Sequence, residues 1–222
     1  MSYLSKVPIN RARRGAHKLL GSPQAMHAGV MTCFPPAAHD GIDRILWRVD
    51  ENGPESCLIV VSPHRPDFTS LIEQAGWPMS DQEPWVTRDY RQLLNRVVDG
   101  SLWRFRLQGN PVRSPKSIGK PVPHVTPDQQ RDWLVSRVER NGFSIPSQVG
   151  ADGAPEPQVV VSNRRTRKFR RGDATVTIAT AQFDGLLVVR DAEAFRRCLV
   201  AGIGRAKGYG CGLLTITRYE LS

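Results

Sequence analysis

The sequence is poor in the residues on which most enzyme classes depend. It has four cysteines, Cys33, Cys57, Cys198 and Cys211, scattered along the chain with no C-x-x-C pair. Such spacing speaks against a disulfide framework and against a zinc site, and reads as buried or spare thiols in a reducing compartment. There is no G-x-S-x-G, no H-E-x-x-H, and no cluster of carboxylates spaced to hold Mg2+. A metal-dependent nuclease would therefore lack its ligands, and no loop suited to a small-molecule cofactor is visible. The longest apolar runs, at 58–61 and 186–189, are strand-sized, far short of the roughly 20 residues that span a bilayer. The first 20 residues contain no apolar run of signal-peptide length. The expectation is a cytoplasmic protein with no membrane contact, no metal and no cofactor. Acids are scarce as well. Twenty-one Asp and Glu face 31 Lys and Arg, a net charge of +10, and the isoelectric point is near 10.0. That balance favours a polyanionic partner, because phosphates bind cationic surfaces with release of counterions. Arginine-rich codon usage is the other source of such a balance, and charge alone does not separate the two.

What is present has the periodicities of an α+β protein. Residues 3–9 form a strand candidate, followed by a basic arm with Arg11, Arg13, Arg14 and Lys18. Ser22-Pro23 supplies an N-cap and a first-turn proline for a helix over 22–33. Two strands, 45–49 and 57–62, are joined across Asn52-Gly53-Pro54. Phe68, Leu71, Ile72 and Ala75 set a helical spacing over 67–75, and a weak strand follows near 85–86. The order β-α-β-β-α-β is that of ferredoxin-like, RNA-recognition-type modules. A second run begins after Asp99-Gly100. Trp103, Phe105 and Leu107 alternate with Arg104, Arg106 and Gln108, the pattern of a half-buried strand. A proline-rich loop over 109–127 carries Arg113, Lys116 and Lys120. Thr126-Pro127-Asp128-Gln129 fits a capping box, with Asn141-Gly142 as the stop of its helix. Residues 150–157 read as a loop. Strands at 159–162 and 174–183 flank a very basic turn, 186–190 is a further strand, Asp191 caps a helix, and 213–218 closes the chain. The simplest architecture is two tandem ferredoxin-like domains, 1–98 and 99–222.

Three features are candidates for chemistry. Six of the nine residues over 163–171 are basic (Arg164, Arg165, Arg167, Lys168, Arg170 and Arg171), and none is acidic. A charge run is usually a solvated loop. Flanking strands and Phe169 within the run favour instead a presented element that grips phosphates through guanidinium forks. The stretch 202–212 holds five glycines in eleven residues, with Arg205 and Lys207 among them. It follows a helix and precedes a strand, the reverse of a dinucleotide fingerprint, so it reads as a tight connection able to approach a phosphate chain. Of the five histidines, His17, His27, His39, His64 and His124, His27 sits in the first turns of its helix beside the basic arm. The helix dipole and neighbouring cations favour a neutral imidazole there, one able to act as a base. A lone histidine near a helix start is more often structural, and on this evidence alone the residue stays open.

Taken in order, these residues resemble the CasE family, the endoribonucleases of type I-E CRISPR systems. The likeness runs through Tyr3-Leu4-Ser5-Lys6-Val7, Met26-His27, Arg104-Phe105-Arg106-Leu107 with Asn110-Pro111, Trp133-Leu134, Gly142-Phe143 and Phe183-Asp184-Gly185. It ends in Gly210-Cys211-Gly212-Leu213-Leu214. The resemblance implies two ferredoxin-like domains and a CRISPR repeat stem–loop as substrate. It also implies an enzyme that keeps its product as a subunit of the Cascade complex. It puts the catalytic histidine on His27, the groove-binding hairpin on 163–171, and a second catalytic group in question. Relatives often carry a tyrosine three residues before the histidine, where this chain has Gln24. An amide hydrogen-bonds a phosphate or ribose but supplies no phenolic proton. Lys168 is the candidate for stabilising transition-state charge. Arg13, Arg14, Lys18, Arg113, Lys116, Arg164, Arg165, Arg167, Arg170, Arg171, Arg205 and Lys207 are the candidate RNA contacts. The activity implied is metal-independent attack by the 2′-hydroxyl, leaving a 2′,3′-cyclic phosphate and a 5′-OH. The alternative is a catalytically inactive scaffold that binds the same RNA.

Overall fold

The structure is a computed structural model that describes residues 2–36, 44–53, 55–79, 81, 83–115, 119–150 and 153–219. Its internal packing divides into two compact units. One comprises the chain through Leu94 with Lys168–Val176 and Ala206–Cys211; the other comprises Asn95–Arg167, Thr177–Arg205 and the stretch from Gly212 onward.

The first unit runs β1 (Tyr3–Ile9), α1 (Arg14–Gly21), α2 (Pro23–Met31), β2 (Leu46–Asn52), β3 (Glu55–Ser62), α3 (Thr69–Ala75), β4 (Val86–Asp89) and a single turn α4 (Arg91–Leu94). Its sheet has the order β2-β3-β1-β4, antiparallel throughout, which is the ferredoxin-like arrangement. Alternation on β1 turns Val7 and Ile9 inward, where they meet Leu58 and Val60 of β3 and Leu19, Met26, Val30, Leu71 and Ile72 of the helices. Each such side chain taken fully out of water stabilises the fold by about 1.5–3 kcal/mol. An ion pair shares this unit's interior. Arg48 on β2, 2% exposed, is gripped by Asp50 through Nε–Oδ1 at 2.6 Å and Nη2–Oδ2 at 2.9 Å.

The basic arm expected after β1 is a helix. Arg14–Gly21 buries Ala16 and Leu19 while Arg14, His17 and Lys18 stay exposed. Arg13, its N-cap, contributes no side-chain cap, which removes the usual sequence signature of a helix start. Eight residues with two buried positions leave little periodicity to read.

The second unit runs β5 (Leu102–Gly109), the short ribbon β6 (Val112–Arg113) and β7 (Val122–Pro123), α5 (Pro127–Val138) and β8 (Phe143–Ser144). It continues through a second ribbon, β9 (Ser147–Val149) and β10 (Pro155–Pro157), to β11 (Val159–Arg171), β12 (Ala174–Val189), α6 (Ala192–Ala201) and β13 (Leu214–Arg218). The sheet order β11-β12-β5-β13, with β8 beside β12, repeats the ferredoxin-like pattern. Thr126 and Gln129 complete the capping box of α5 reciprocally, and Asp191 caps α6 by accepting from the Ala194 N–H at 2.9 Å. Trp133 stacks on Phe183 at 5.7 Å, and Phe143 packs on Phe195 at 5.3 Å.

Several sequence expectations change here: the loops expected over 109–127 and 150–157 carry the short strands β6, β7 and β10. The basic run is the distal half of strand β11, and the turn is reduced to Gly172-Asp173, with Gly172 at φ 57°. Charge does not oppose a strand, since the backbone ladder to β12 is independent of side chains that point alternately to either face. The two strands expected at 174–183 and 186–190 are one, β12. Asp184-Gly185 resembles a turn, yet Gly185 is there for clearance: a Cβ would lie 2.2 Å from the Gln158 carbonyl oxygen, which accepts from the Leu186 N–H at 3.1 Å.

Candidate functional site

The site grows from α2. Ser22 accepts a hydrogen bond from the Ala25 N–H at 3.3 Å, Pro23 occupies the first helical position, and the helix ends at Met31, two residues short of the expected Cys33. Met26 and Val30 face the core, which leaves Gln24 and His27, three residues apart, neighbours on another face. Both are half-buried. The Gln24 Oε1 is shielded from solvent and has no hydrogen-bond partner among the described residues.

The glycine-rich stretch lies against this helix. Ala206 at φ 60° and Gly210 at φ 80° bracket a single 3-10 turn, Lys207–Tyr209. A Cβ on Gly210 would come within 2.7 Å of the Trp47 ring, so only glycine lets the backbone lie on that tryptophan. The turn brings Gly208 to the imidazole, where a Cβ would sit 3.6 Å from His27 Cε1. The Tyr209 ring packs edge-on to His27, with centroids 6.2 Å apart and planes at 64°. On its other side Tyr209 meets Phe169 of β11 at 4.9 Å. His27, Tyr209 and Phe169 thus form a continuous aromatic file within one unit. Neither Tyr209 nor Phe169 is singled out by the sequence as a neighbour of His27. The signal available was an aromatic residue inside each of the two segments richest in phosphate-binding character.

The expected cations divide into distinct groups. Arg14, Lys18, Lys168, Arg170, Arg171 and Lys207 belong to the same unit as His27 and Gln24, while Arg113, Arg164, Arg165, Arg167 and Arg205 belong to the other. Lys116 and His39 lie outside the described residues. Strand alternation sets Lys168 and Arg170, both exposed, on the face opposite half-buried Phe169. Arg13 and Arg164 are engaged by the protein itself. Arg13 donates to the carbonyls of Glu73 at 2.5 Å and Gly76 at 3.4 Å, neutralising the C-terminal end of α3. Arg164 donates to Gln130 Oε1 at 3.1 Å and to the Val125 carbonyl, fastening β11 to the start of α5.

The other histidines are placed differently. His17 and His64 are exposed. His124 lies in the second unit. Its imidazole is held below the ordinary value by burial and by the charges of Arg113 and Arg137, with Asp132 opposing. The cysteines are all free, and burial pushes the Cys33 thiol up to about 12. No group of three or more His, Cys, Asp or Glu residues disposed to hold a metal ion occurs among the described residues. No described helix is long and apolar enough to cross a membrane.

Two ferredoxin-like units, an imidazole beneath a glycine-rich turn, and a cationic strand whose aromatic residue reaches that turn define a protein of the tandem ferredoxin-like class. The chain belongs to the family described as CRISPR associated protein, whose model matches residues 2–218. It is 26% identical over 219 residues to the CRISPR-associated endoribonuclease Cse3 of Thermus thermophilus, covering 96% of this chain and 99% of that protein. It is equally 26% identical, over 226 residues, to the Cascade subunit CasE of Escherichia coli, covering 96% and 98%. Among solved structures, Thermus thermophilus Cse3 bound to an RNA representing a pre-cleavage complex matches with a TM-score of 0.80. The identity there is 29%, over 97% of this chain and 98% of that one.

Proposed function

We propose that the chain is a metal-independent endoribonuclease that binds the stem–loop of CRISPR repeat RNA, cuts at the base of the stem, and retains the product as a Cascade subunit in the cytoplasm. The observation that carries the reading is the packing of the glycine-rich turn on His27 and of Phe169 on Tyr209 of that turn, which links the imidazole to the element bearing the cationic run. The names of the Thermus and Escherichia relatives support the activity and the assembly. The division of labour is then an N-terminal domain, 1–98, that carries the histidine, and a C-terminal domain, 99–222, that carries the hairpin and the glycine-rich stretch.

In the proposed reaction the 2′-hydroxyl loses its proton and its oxygen attacks the adjacent phosphorus. The 5′-oxygen then leaves and takes up a proton, giving a 2′,3′-cyclic phosphate and a 5′-OH. His27 carries proton transfer at that link, a contribution typically worth about 10²–10⁴-fold. Gln24, with a sheltered acceptor oxygen one turn away, fits a hydrogen bond from the ribose hydroxyl. Lys168 and the nearby arginines steady the charge that builds on the phosphorane. Arg14, Lys18, Arg113, Lys116, Arg165, Arg167, Arg170, Arg171, Arg205 and Lys207 are proposed phosphate contacts. The A-form major groove is too deep and narrow for side chains to read bases, so shape and backbone charge dominate stem recognition. Arg13 and Arg164 have folding roles first.

The test is cleavage of a labelled repeat hairpin in EDTA by wild type and His27→Ala, beside the same RNA with one 2′-deoxy sugar upstream of the cut. Wild type alone should cleave, the deoxy sugar should block it, and the variant should bind without cutting. Tight binding by wild type with the cognate RNA left intact would establish the scaffold reading, which the replacement of a tyrosine by Gln24 favours.

A further inference from the structure

His27 is half-buried, and its ring is flanked by Gly208, which presents no side chain, and by the Tyr209 ring. Tyr209 sits between the His27 and Phe169 rings. The turn that carries it is fixed on one side by Ala206 in the left-handed region, on the other by Gly210 laid over Trp47, and Phe169 closes on it at 4.9 Å. A non-glycine residue held at positive φ is backbone strain of the kind that persists where surrounding structure over-determines it. Phe169 lies one residue from Lys168 and Arg170, in the strand whose cations are proposed to take up the stem. An imidazole that must meet a scissile link in line is sensitive to such bracing, since misplacement by about 1 Å costs on the order of 10²-fold.

We propose that Tyr209 is a positioning residue for His27, braced by Phe169, so that the strand bearing the cationic run also orients the imidazole. The proposal rests on His27 being the proton-transferring group. It assigns the work to the tyrosine ring rather than to its hydroxyl, because what the geometry supplies is an edge-on ring contact.

The experiment compares wild type with Tyr209→Phe, Tyr209→Leu and Phe169→Leu as full-length proteins. Hairpin affinity is measured separately from the single-turnover cleavage rate at saturating protein, across pH. The imidazole resonances of the five histidines are followed by NMR, with His27 assigned through His27→Ala. Tyr209→Leu should lower the saturating rate at least tenfold with affinity within threefold, alter the pH–rate profile, and move the His27 resonance as the ring current disappears. Tyr209→Phe should restore rate and resonance, and Phe169→Leu should fall between. A Tyr209→Leu protein that cuts at the wild-type rate overturns the proposal. So does one whose affinity falls in step with its rate, which would make Tyr209 an RNA contact. Equal loss in Tyr209→Phe and Tyr209→Leu overturns it too, by assigning the work to the hydroxyl. Failure of the underlying reading has a separate signature, full cleavage by His27→Ala.

Discussion

The arginines of β11 are separable by experiment into those that hold the fold and those that hold RNA. Arg164 donates to Gln130 Oε1 and to the Val125 carbonyl, and Gln130 is 4% exposed. Arg164→Ala leaves that buried acceptor unmet, at a cost of about 1–3 kcal/mol. For a chain of this size the melting temperature should fall by about 2–4 °C for each kcal/mol. Arg170 and Arg171 are exposed beside the turn. Replacing both with alanine should leave melting within about 1 °C, since surface substitutions of this kind rarely exceed about 0.5 kcal/mol. Their effect should appear in binding. Removing one cation from a phosphate lowers the slope of log affinity against log salt by about 0.9, so removing two lowers it by about 1.8. Over a fourfold rise in salt the affinity ratio of wild type to variant should then shrink roughly tenfold. The assay is hairpin-RNA anisotropy at four or five salt concentrations, with melting followed in parallel. Parallel salt lines for wild type and the double variant would refute the assignment of these cations to phosphates. An Arg164→Ala protein that melts normally but binds with a flatter slope would refute the assignment of Arg164 to the fold.

Asp50→Ala removes two charge-assisted hydrogen bonds from the buried Arg48 guanidinium and should destabilise the protein by about 1.5–3 kcal/mol in urea titration. Replacing both members with apolar residues of similar volume should recover most of that loss, and a single variant as stable as wild type would show the pair to be idle. The folded protein holds His124 below its ordinary value, so the folded state favours the neutral ring. That contribution is complete above about pH 6.5 and is lost as pH falls through the lowered value. Wild type should therefore lose more thermal stability between about pH 7 and about pH 5 than His124→Gln, and identical losses would remove His124 from the account. Cys33, pushed up to about 12 by burial with the Asp67 charge second, should resist iodoacetamide in the native protein and react once unfolded. Rapid native alkylation at Cys33 would contradict its burial.

Much of the fold was legible because its signals are local. The Thr126–Gln129 capping box, the Trp103-Phe105-Leu107 alternation and the Asp191 cap each specify an element within a few residues. The β-α-β-β-α-β order follows once those are placed. The parts that were not legible depend on packing between residues distant in sequence. Nothing near Arg14 announces a helix, because α1 is held by burying Ala16 and Leu19 against the core. Gly185 looks like punctuation until Gln158 is seen to cross it. At the site, His27 and the cationic run were visible as candidates, but their connection was not. It passes through Tyr209, whose position depends on Ala206, Gly210 and Trp47 together. The clustering of cations also concealed that Arg13 and Arg164 serve carbonyls and an amide of the protein itself.

Gln24 bears on how much chemistry such a site must supply. Transesterification moves one proton off the 2′-oxygen and one onto the 5′-oxygen, and an amide at position 24 transfers neither. On the proposed assignment of proton transfer to His27, one imidazole would serve one of the two transfers and the other would fall to solvent or to the substrate. For an enzyme of many turnovers that would be a serious loss, at the about 10²–10⁴-fold that a positioned acid or base contributes. A protein that keeps its product bound turns over once per copy, so its working rate is set by capture and alignment of the hairpin. On the proposed assignments, a 13-residue strand ending in cations and a turn packed against the imidazole would serve those steps. On this argument a catalytic apparatus with a single titrating group is consistent with the proposed role, and the rate it sustains depends chiefly on how firmly His27 is held.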